Sequence, residues 1–337
     1  MRDPRADDHP GLRGRLIGQP PLLLVLRALG LGDLLVAVPA LRALAEAFPG
    51  HRRVLLTPPA LAPLIGGLAE VVDHRAPLRP GAGTFDPVPA TLAGAEIAVN
   101  LHGHGPESSR VLLAARPGQL LAFAHPAVPE TAPGPAWDNG QEHERERWCR
   151  LLTASGIPAD PLRLELDPPA AEIPAGAAGA TLVHPGAASG SRRWPPERFA
   201  AVAAAETAAG RRVLVTGGPD EAGLAAEVAA GAGLGPEAVL AGRTTLAELA
   251  ALVAAAGRVV CGDTGVAHLA TAYGTPSVVL FGPVPPARWG PPPGRHHVAL
   301  WAGRTGSPFA DALDPGLAEL HPGDVLDALQ RIEGPRA

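Results

Sequence analysis

Lysine is absent from the sequence: all 28 residues counted as lysine plus arginine are arginines, set against 33 acidic residues. The net charge is −5 at pH 7 and the sequence pI is near 6.2, which argues against the basic stripe typical of nucleic-acid-binding proteins. We therefore expect no nucleic-acid partner. A small anionic ligand remains compatible with this charge, and its cationic contacts would come from arginine.

Cysteine is also scarce, since only Cys149 and Cys261 are present, in different halves of the chain and without metal-ligand spacing. This pattern excludes a disulfide framework and a structural zinc site and favours a reducing, cytoplasmic setting. The sequence has no Asp-x-Asp motif and no His-x-x-x-His pair on a predicted helix. We accordingly expect no metal site.

Long apolar runs are missing as well. The most apolar window, residues 22–48, is interrupted by Arg27, Asp33, Pro39 and Arg42, whereas a membrane-spanning helix needs about 20 mostly apolar residues in succession. The polar N-terminus lacks the apolar region of a secretory signal. We predict no transmembrane segment, a disordered extension over residues 1–21, and a cytoplasmic protein that can attach peripherally to the inner face of the membrane.

Strands and helices alternate along both halves of the chain, which predicts an α/β protein with parallel sheets. In the first half the predicted strands are 22–26, 53–56, 71–72 and 95–101, and the predicted helices are 34–48, 108–115 and 141–155. In the second half the predicted strands are 181–184, 212–216, 259–261 and 277–281, and the predicted helices are 196–209, 220–230, 246–256 and 266–270.

Two domains are expected, because 337 residues exceed the roughly 250–300 residues at which a single core stops growing. We place the first domain at residues 22–166, a linker rich in proline, alanine and glycine at 167–179, and the second domain at 180–320. Residues 283–294 are predicted to form a loop. The last segment, 321–337, is predicted to contain an amphipathic helix that packs back on the first domain.

Residues 258–283 predict a strand, a turn, a helix and a second strand, with Gly262-Asp263-Thr264-Gly265 in the turn. Ligands of open parallel sheets bind at such a turn, because the following helix directs free N–H groups and its positive dipole end outward. The turn therefore predicts an anion site. His268, near the start of that helix, is either a packed or solvated side chain or a ligand of the same pocket.

The turn after the first strand contains Gly30-Leu31-Gly32-Asp33. It matches the start of a dinucleotide-binding fingerprint, but Leu35 occupies the third glycine position, which disfavours a nicotinamide enzyme. Asp33 can be a helix N-cap, or a carboxylate at the mouth of a cleft that takes a proton from a substrate hydroxyl. The loop at residues 100–105 is expected at the same sheet edge.

The loop at residues 189–195 carries Arg192 and Arg193 among serine and glycine. Two arginines at the ligand edge of a sheet suit a diphosphate, which they can hold through charge-assisted hydrogen bonds. The alternative is a solvated basic loop without a ligand.

Taken together, these motifs resemble glycosyltransferase family 9, the heptosyltransferase-like enzymes of the GT-B fold. The resemblance implies two Rossmann-like domains facing each other across a cleft, with the acceptor on the first domain and the nucleotide sugar on the second. It rests on the following residues: Arg27, Gly32-Asp33 and Pro39, then Arg192-Arg193-Trp194-Pro195, Gly217-Gly218, Leu240-Ala241-Gly242, and Gly262-Asp263-Thr264-Gly265-Val266-Ala267-His268.

The resemblance also implies roles for single residues. Asp33 would be the general base of an inverting, metal-independent transfer of heptose from an ADP-linked sugar, which is a co-substrate, so that no cofactor is needed. The acceptor would contact Arg27, Gly32, Asn100 and His102. The donor would contact Ser189, Arg192, Arg193, Gly217, Gly242, Asp263, Thr264, Gly265 and His268.

We expect a monomer. Family members often carry lysine in place of Arg192, and we attribute the exchange to the lysine-free composition.

Two other functions remain open at this point. A GT-B-like sugar-nucleotide epimerase would need acid and base groups around the sugar, for which His102, His104 and Glu107 are available. A nucleotide-sugar-binding relative without catalysis would keep only the donor site. The acceptor stays undefined: a surface glycan, a lipid-linked acceptor or a small molecule such as a secondary metabolite.

Overall fold

The computed structural model describes residues 20–78, 85–138, 140 and 142–332. The first half contains a five-stranded sheet in the order β3-β2-β1-β4-β5, in which every strand pairs in parallel with its neighbours. Its elements along the chain are β1 (Leu22–Leu26), α1 (Leu31–Val36), α2 (Val38–Ala47), β2 (Arg52–Thr57), β3 (His74–Pro77), β4 (Ile97–Asn100), α3 (Pro106–Ala114), β5 (Gln119–Leu121) and α4 (Glu144–Ala154).

The second half repeats this plan with a parallel sheet in the order β10-β9-β8-β6-β7. A single parallel bridge from Val215 to Val239 lies beyond the β7 edge. The elements are β6 (Thr181–His184), α5 (Pro196–Ala208), β7 (Val213–Val215), α6 (Ala222–Gly231), α7 (Leu246–Ala255), β8 (Arg258–Gly262), α8 (Gly265–Ala272), β9 (Ser277–Phe281), α9 (Pro286–Trp289), β10 (His297–Trp301), α10 (Pro315–Ala318) and α11 (Pro322–Arg331).

Alternate residues of the central strands point to different hydrophobic clusters. Leu24 and Leu26 of β1 face the outer core of the first half, and Val183 of β6 faces the outer core of the second half. Leu23 of β1 and Leu182 of β6 belong to one cluster that is continuous between the two halves. Because both faces of these strands are buried, their sequences are apolar without alternation.

The strand order reverses direction once in each sheet, beside β1 and β4 in the first half and beside β6 and β8 in the second. A crevice opens at such a switch point beyond the carboxyl ends of the strands, because the connections on either side turn to opposite faces of the sheet. We therefore expect a ligand-binding crevice in each half, and the turns that follow these four strands contain most of the predicted site residues.

Several sequence-based expectations are wrong in detail. The helix predicted over 34–48 is two helices separated at Ala37, and it begins earlier, at Leu31. Residues 71–72 are a turn and a coil residue, so that the strand lies at 74–77. The predicted loop 283–294 contains the short helix α9, and strands β5 and β10 were not predicted.

The amphipathic C-terminal helix is present as α11, but it packs elsewhere than expected. Its buried residues Val325, Ala328 and Leu329 belong to the outer core of the second half, where α11 lies against α5, β9 and β10. The domain boundaries stay a prediction. Most of the extension predicted for residues 1–21 lies outside the described residues. Among the residues that the structure describes, no helix is long and apolar enough to cross a membrane.

Candidate functional site

Asp33 lies in the first turn of α1, where three hydrogen bonds fix it. The helix begins after Gly30, and the Gly30 N–H donates to Oδ2 of Asp33 at 3.2 Å. Nη2 of Arg27 donates to Oδ1 at 3.2 Å, and Nε of Arg27 donates to the Asp33 carbonyl oxygen at 2.7 Å. Asp33 is therefore the third helical residue rather than the N-cap that we considered. Its side chain is 30% exposed, so the held carboxylate remains accessible to a ligand.

Arg27 is the buried support of this carboxylate. It is 1% exposed, its Nη1 donates to the Leu101 carbonyl oxygen, and its guanidinium lies 4.7 Å from the ring centre of Trp148. Burial lowers the pKa of Arg27 to about 10, an effect that nearby Asp33 opposes. An arginine enclosed in this way has its donors committed within the protein. Its geometry supports a positioning role rather than the acceptor contact we expected.

Asn100 is the last residue of strand β4 and His102 follows the strand, both close to Arg27. Asn100 is fully buried: its Nδ2 donates to the hydroxyls of Ser108 and Ser109 at 2.9 and 3.0 Å, and its Oδ1 accepts the His102 N–H at 3.0 Å. The Asn100 amide thus holds the loop in place, and its hydrogen-bonding groups are taken up within the protein. This differs from the expected contact with the sugar acceptor.

His102 has a different environment. Its Nδ1 accepts the Ala28 N–H at 3.3 Å, which places the proton of the neutral ring on Nε2. Burial, with a contribution from Arg27, lowers the pKa of His102 to about 4, so the ring is neutral at pH 7. Asn100 and His102 were both expected to contact the sugar acceptor, and of these two only His102 has a hydrogen-bonding group, its Nε2–H, left to offer to that molecule.

The start of α8 forms the opposing part of the site. Thr264 is its N-cap, and the Thr264 hydroxyl accepts the Val266 N–H at 3.3 Å. The first N–H groups of a helix have no partner within the helix and carry its positive dipole end, so the helix start at Gly265 is of a kind that suits an anion. The predicted location of this turn after β8 agrees with the structure.

Asp263 precedes that turn and is 7% exposed. Burial raises the pKa of Asp263 to about 6, and the charge of Arg192 opposes this rise. Nη1 of Arg192 lies 3.9 Å from Oδ2 of Asp263 and donates to its carbonyl oxygen at 3.3 Å. Arg192 is therefore brought to the α8 turn, as the sequence predicted, with its side chain 22% exposed.

The loop that carries Arg192 is fixed from behind by residues 308–311. The Ser189 hydroxyl donates to the Pro308 carbonyl oxygen at 2.6 Å and accepts from Nε of Arg192 at 3.2 Å. A Cβ atom on Gly190 would lie 1.7 Å from the Asp311 carbonyl oxygen, so only glycine fits there. Ser189 is thus a support for Arg192. Arg193 is exposed, and its Nε donates to the Ala187 carbonyl oxygen at 2.9 Å.

The predicted glycines Gly217 and Gly242 lie together beyond β7. The Gly242 N–H donates to the Gly217 carbonyl oxygen at 3.0 Å, and Gly242 has a positive φ of 71°, which favours glycine. Sequence reasoning missed Glu221, which stands beside them. Its Oε2 accepts the Gly218 N–H at 2.8 Å, and its carboxylate fills the space where Gly186 lacks a side chain. The signal was an acidic residue three positions after a glycine pair at a strand end.

The two halves touch where α1 and α8 begin. A Cβ atom on Gly32 would lie 2.7 Å from Cδ2 of His268, and one on Gly265 would lie 2.8 Å from Cγ of Leu31. The His268 ring also meets Trp289 edge to face at 5.9 Å, and burial lowers the pKa of His268 to about 4. His268 therefore lies between the two halves. It faces Gly32, which directly precedes Asp33 in the chain.

A family model described as glycosyltransferase family 9 (heptosyltransferase) matches residues 138–313, just over half of the chain. The chain belongs to glycosyltransferase family 9. Over 124 residues it is 36% identical to lipopolysaccharide heptosyltransferase 3 of Escherichia coli, a segment that covers 36% of this chain and 36% of that protein. The predicted family is confirmed. Asp33 lies outside the residues that the family model matches, so its role depends on geometry.

Solved structures of family members share the fold over more than nine tenths of this chain. A family 9 glycosyltransferase from Veillonella parvula has a TM-score of 0.71 at 18% identity and covers 93% of this chain and 97% of its own. The ADP-heptose lps heptosyltransferase II of Escherichia coli has a TM-score of 0.70 at 20% identity, with coverages of 92% and 97%. The predicted GT-B architecture of two facing Rossmann-like sheets is confirmed.

Proposed function

We propose that this family 9 chain is an inverting, metal-independent glycosyltransferase that uses a nucleoside-diphosphate sugar and that Asp33 is its general base. One observation carries the proposal. The turn of α1 that holds Asp33 is in contact with the turn of α8 that begins at Gly265. This contact supports the proposal because it brings a carboxylate and a helix start suited to anions close to each other.

The chemistry of sugar transfer requires these two groups on opposite sides of the anomeric carbon. Asp33 accepts the proton of the acceptor's hydroxyl group, while the oxygen of that hydroxyl group bonds to the anomeric carbon. The bond from that carbon to the diphosphate oxygen breaks, and the leaving group gains negative charge. Arg192 and the first N–H groups of α8 stabilise this charge. A single displacement inverts the anomeric centre.

The donor is proposed to be ADP-linked, by similarity to the ADP-heptose lps heptosyltransferase II of Escherichia coli. Glu221, Gly217 and Gly242 surround the place beyond β7 where the nucleoside of such a donor would lie. The acceptor is a hydroxyl of a glycan, a lipid-linked molecule or a small molecule. Metal independence is supported by the presence of an arginine and a helix start at the diphosphate site, which can replace a cation.

The test combines donor selection with metal removal. A thermal-shift screen of ADP-, GDP-, UDP- and dTDP-sugars should show stabilisation by the ADP-linked donors, because a ligand that binds the folded state raises its stability. Transfer or slow donor hydrolysis, followed as release of ADP, should persist in EDTA. Loss of ADP release in EDTA that added metal restores would exclude the metal-independent mechanism, and a product that retains the donor's anomeric configuration would exclude inversion.

The epimerase alternative gains no support from the geometry. His104, one of its candidate acid or base groups, is stacked on Trp137 with ring centres 5.0 Å apart and planes 18° apart, and it lies 5.1 Å from His125. These contacts place the His104 ring in an aromatic cluster. Product analysis without an acceptor would reveal an epimerised nucleotide sugar if this alternative held.

A further inference from the structure

The helix starts of α1 and α8 fit each other reciprocally. Each contributes a glycine opposite a side chain of the other: Gly32 of α1 faces His268 of α8, and Gly265 of α8 faces Leu31 of α1. A Cβ atom on either glycine would come within 2.7 to 2.9 Å of carbon atoms of the facing side chain. Non-bonded carbon atoms normally stay about 3.5 to 4.0 Å apart, so each contact requires glycine.

The two facing side chains differ in how far they can move aside. The Cβ atom of Leu31 lies 2.9 Å from the position of the added atom at Gly265, and a Cβ atom is fixed by the backbone whatever the rotamer. The His268 ring packs edge to face against Trp289 at 5.9 Å on one side, and it lines a small pocket together with Leu35 and His143. An added methyl group would therefore separate the helices.

Helix capping does not explain the glycine at position 32. Helix α11 has the same start, with Gly323 at the second position and Asp324 at the third, where Oδ2 of Asp324 accepts the His321 N–H at 2.8 Å. No atom lies within 4 Å of a Cβ added to Gly323, whereas one added to Gly32 meets His268. The contact between the halves is what distinguishes Gly32.

We propose that these two contacts are reciprocal notches that set the spacing between Asp33 and the phosphate-binding turn of α8, and that His268 is a positioning residue. Asp33 directly follows one notch and Thr264 directly precedes the other. The catalytic part of this proposal rests on the proposed function. A shift of about 1 Å in reacting groups can cost a hundredfold in rate, which gives the notches a direct effect on turnover.

The test is a double-mutant cycle with Gly32→Ala and His268→Ala, measured by melting temperature, by kcat and by the dissociation constant of ADP. Gly32→Ala alone should lower the melting temperature and reduce kcat about 10²-fold. Adding His268→Ala removes the obstacle, so the double variant should recover at least tenfold of the lost kcat and most of the lost melting temperature. The dissociation constant of ADP should change by less than about threefold, because only the spacing is altered.

Gly323→Ala is the matched control and should change neither melting temperature nor kcat. If Gly32→Ala is insoluble and the double variant folds, that rescue supports the notch. If both fail to fold while His268→Ala and Gly323→Ala fold, or if the two melting-temperature losses simply add, His268 is not the obstacle and the proposal is overturned. The melting-temperature cycle needs no activity, so a wild-type chain that transfers no sugar would count against the proposed function alone.

Discussion

Arg27 holds Asp33 at two points, through its carboxylate and through its backbone carbonyl oxygen, and it is itself almost completely buried. The charge that steadies the proposed base is therefore supplied from inside the protein, and the outer side of the carboxylate stays open. In the proposed reaction, the Arg27–Asp33 pair provides the base, and the helix start of α8 provides the groups that stabilise the diphosphate.

Replacing Asp33 with Asn should leave donor binding almost unchanged and lower kcat by ~10²–10⁴, because the amide cannot accept the acceptor proton. Asp324→Asn is the matched control for the helix start, since the Asp324 carboxylate accepts the N–H of the residue before α11 as the Asp33 carboxylate does before α1. Asp33→Asn should lose more stability than Asp324→Asn, because it also removes the charge paired with the buried Arg27, and it alone should lose turnover. Steady-state rates and ADP calorimetry distinguish the outcomes; equal turnover in both variants would remove Asp33 from the catalytic step.

Arg27→Lys should lower kcat roughly tenfold or more, because an ammonium cannot reproduce the planar donors that contact Asp33 and Leu101 together. The dissociation constant of ADP should stay unchanged, since Arg27 lies in the other half from the donor turn. A drop in stability of about 1–3 kcal/mol is expected from the lost buried hydrogen bonds. If ADP affinity falls instead of kcat, Arg27 acts on the donor and not on the base.

The central strands of this fold follow from the sequence, whereas only one of the edge strands, β7, was predicted in place. Strands β1 and β6 have the predicted bounds, because strands buried on both faces are continuous apolar runs. The edge strands β5 and β10 were missed because β5 is short with an exposed Gln119 and β10 is half-buried throughout, so neither is a buried apolar run like β7. The interruption between helices α1 and α2 at Ala37 could have been predicted from Pro39, because proline favours the first turn of a helix and Pro39 lies in the first turn of α2.

The candidate site shows a similar division. Turns at strand ends predicted where Asp33, Arg192 and Gly265 would lie, because parallel strands bring their carboxyl ends to one edge. Local sequence does not show that Asn100 is sealed among serines or that His268 packs on Gly32. The contact of His268 with Gly32 joins segments distant in the chain, the contacts of Asn100 depend on the conformation of a loop, and no periodicity encodes either.

The two arginines of the donor loop should differ in importance. Arg192→Ala should weaken ADP binding by about 10- to 100-fold, the loss expected for one or two charge-assisted hydrogen bonds to phosphate. Arg193→Ala, the neighbouring control, should change it by less than about threefold, because Arg193 is exposed and its Nε contacts Ala187. Calorimetry at fixed salt measures both. Equal losses would show that the loop acts only as a basic surface.

Asp263 should destabilise the folded chain at neutral pH. Its folded pKa of about 6 lies above the ordinary value of 3.8, so the folded chain binds this proton more tightly than the unfolded chain. The resulting stabilisation is complete below about pH 4 and is lost as the pH rises to about 6. At pH 7 the ionised carboxylate therefore costs roughly 3 kcal/mol relative to a neutral group of the same shape.

Asp263→Asn supplies that neutral group. The variant should melt at the wild-type temperature near pH 4 and above it at pH 7, with the difference developing between pH 4 and pH 6. Comparing the two proteins at each pH cancels the other titrating groups, so the difference curve reports Asp263 alone. A difference that stays constant from pH 4 to pH 7 would mean that Asp263 titrates as an ordinary carboxylate. The expected curve would instead show a buried charge that persists at the donor turn despite its cost to the fold, as functional carboxylates do.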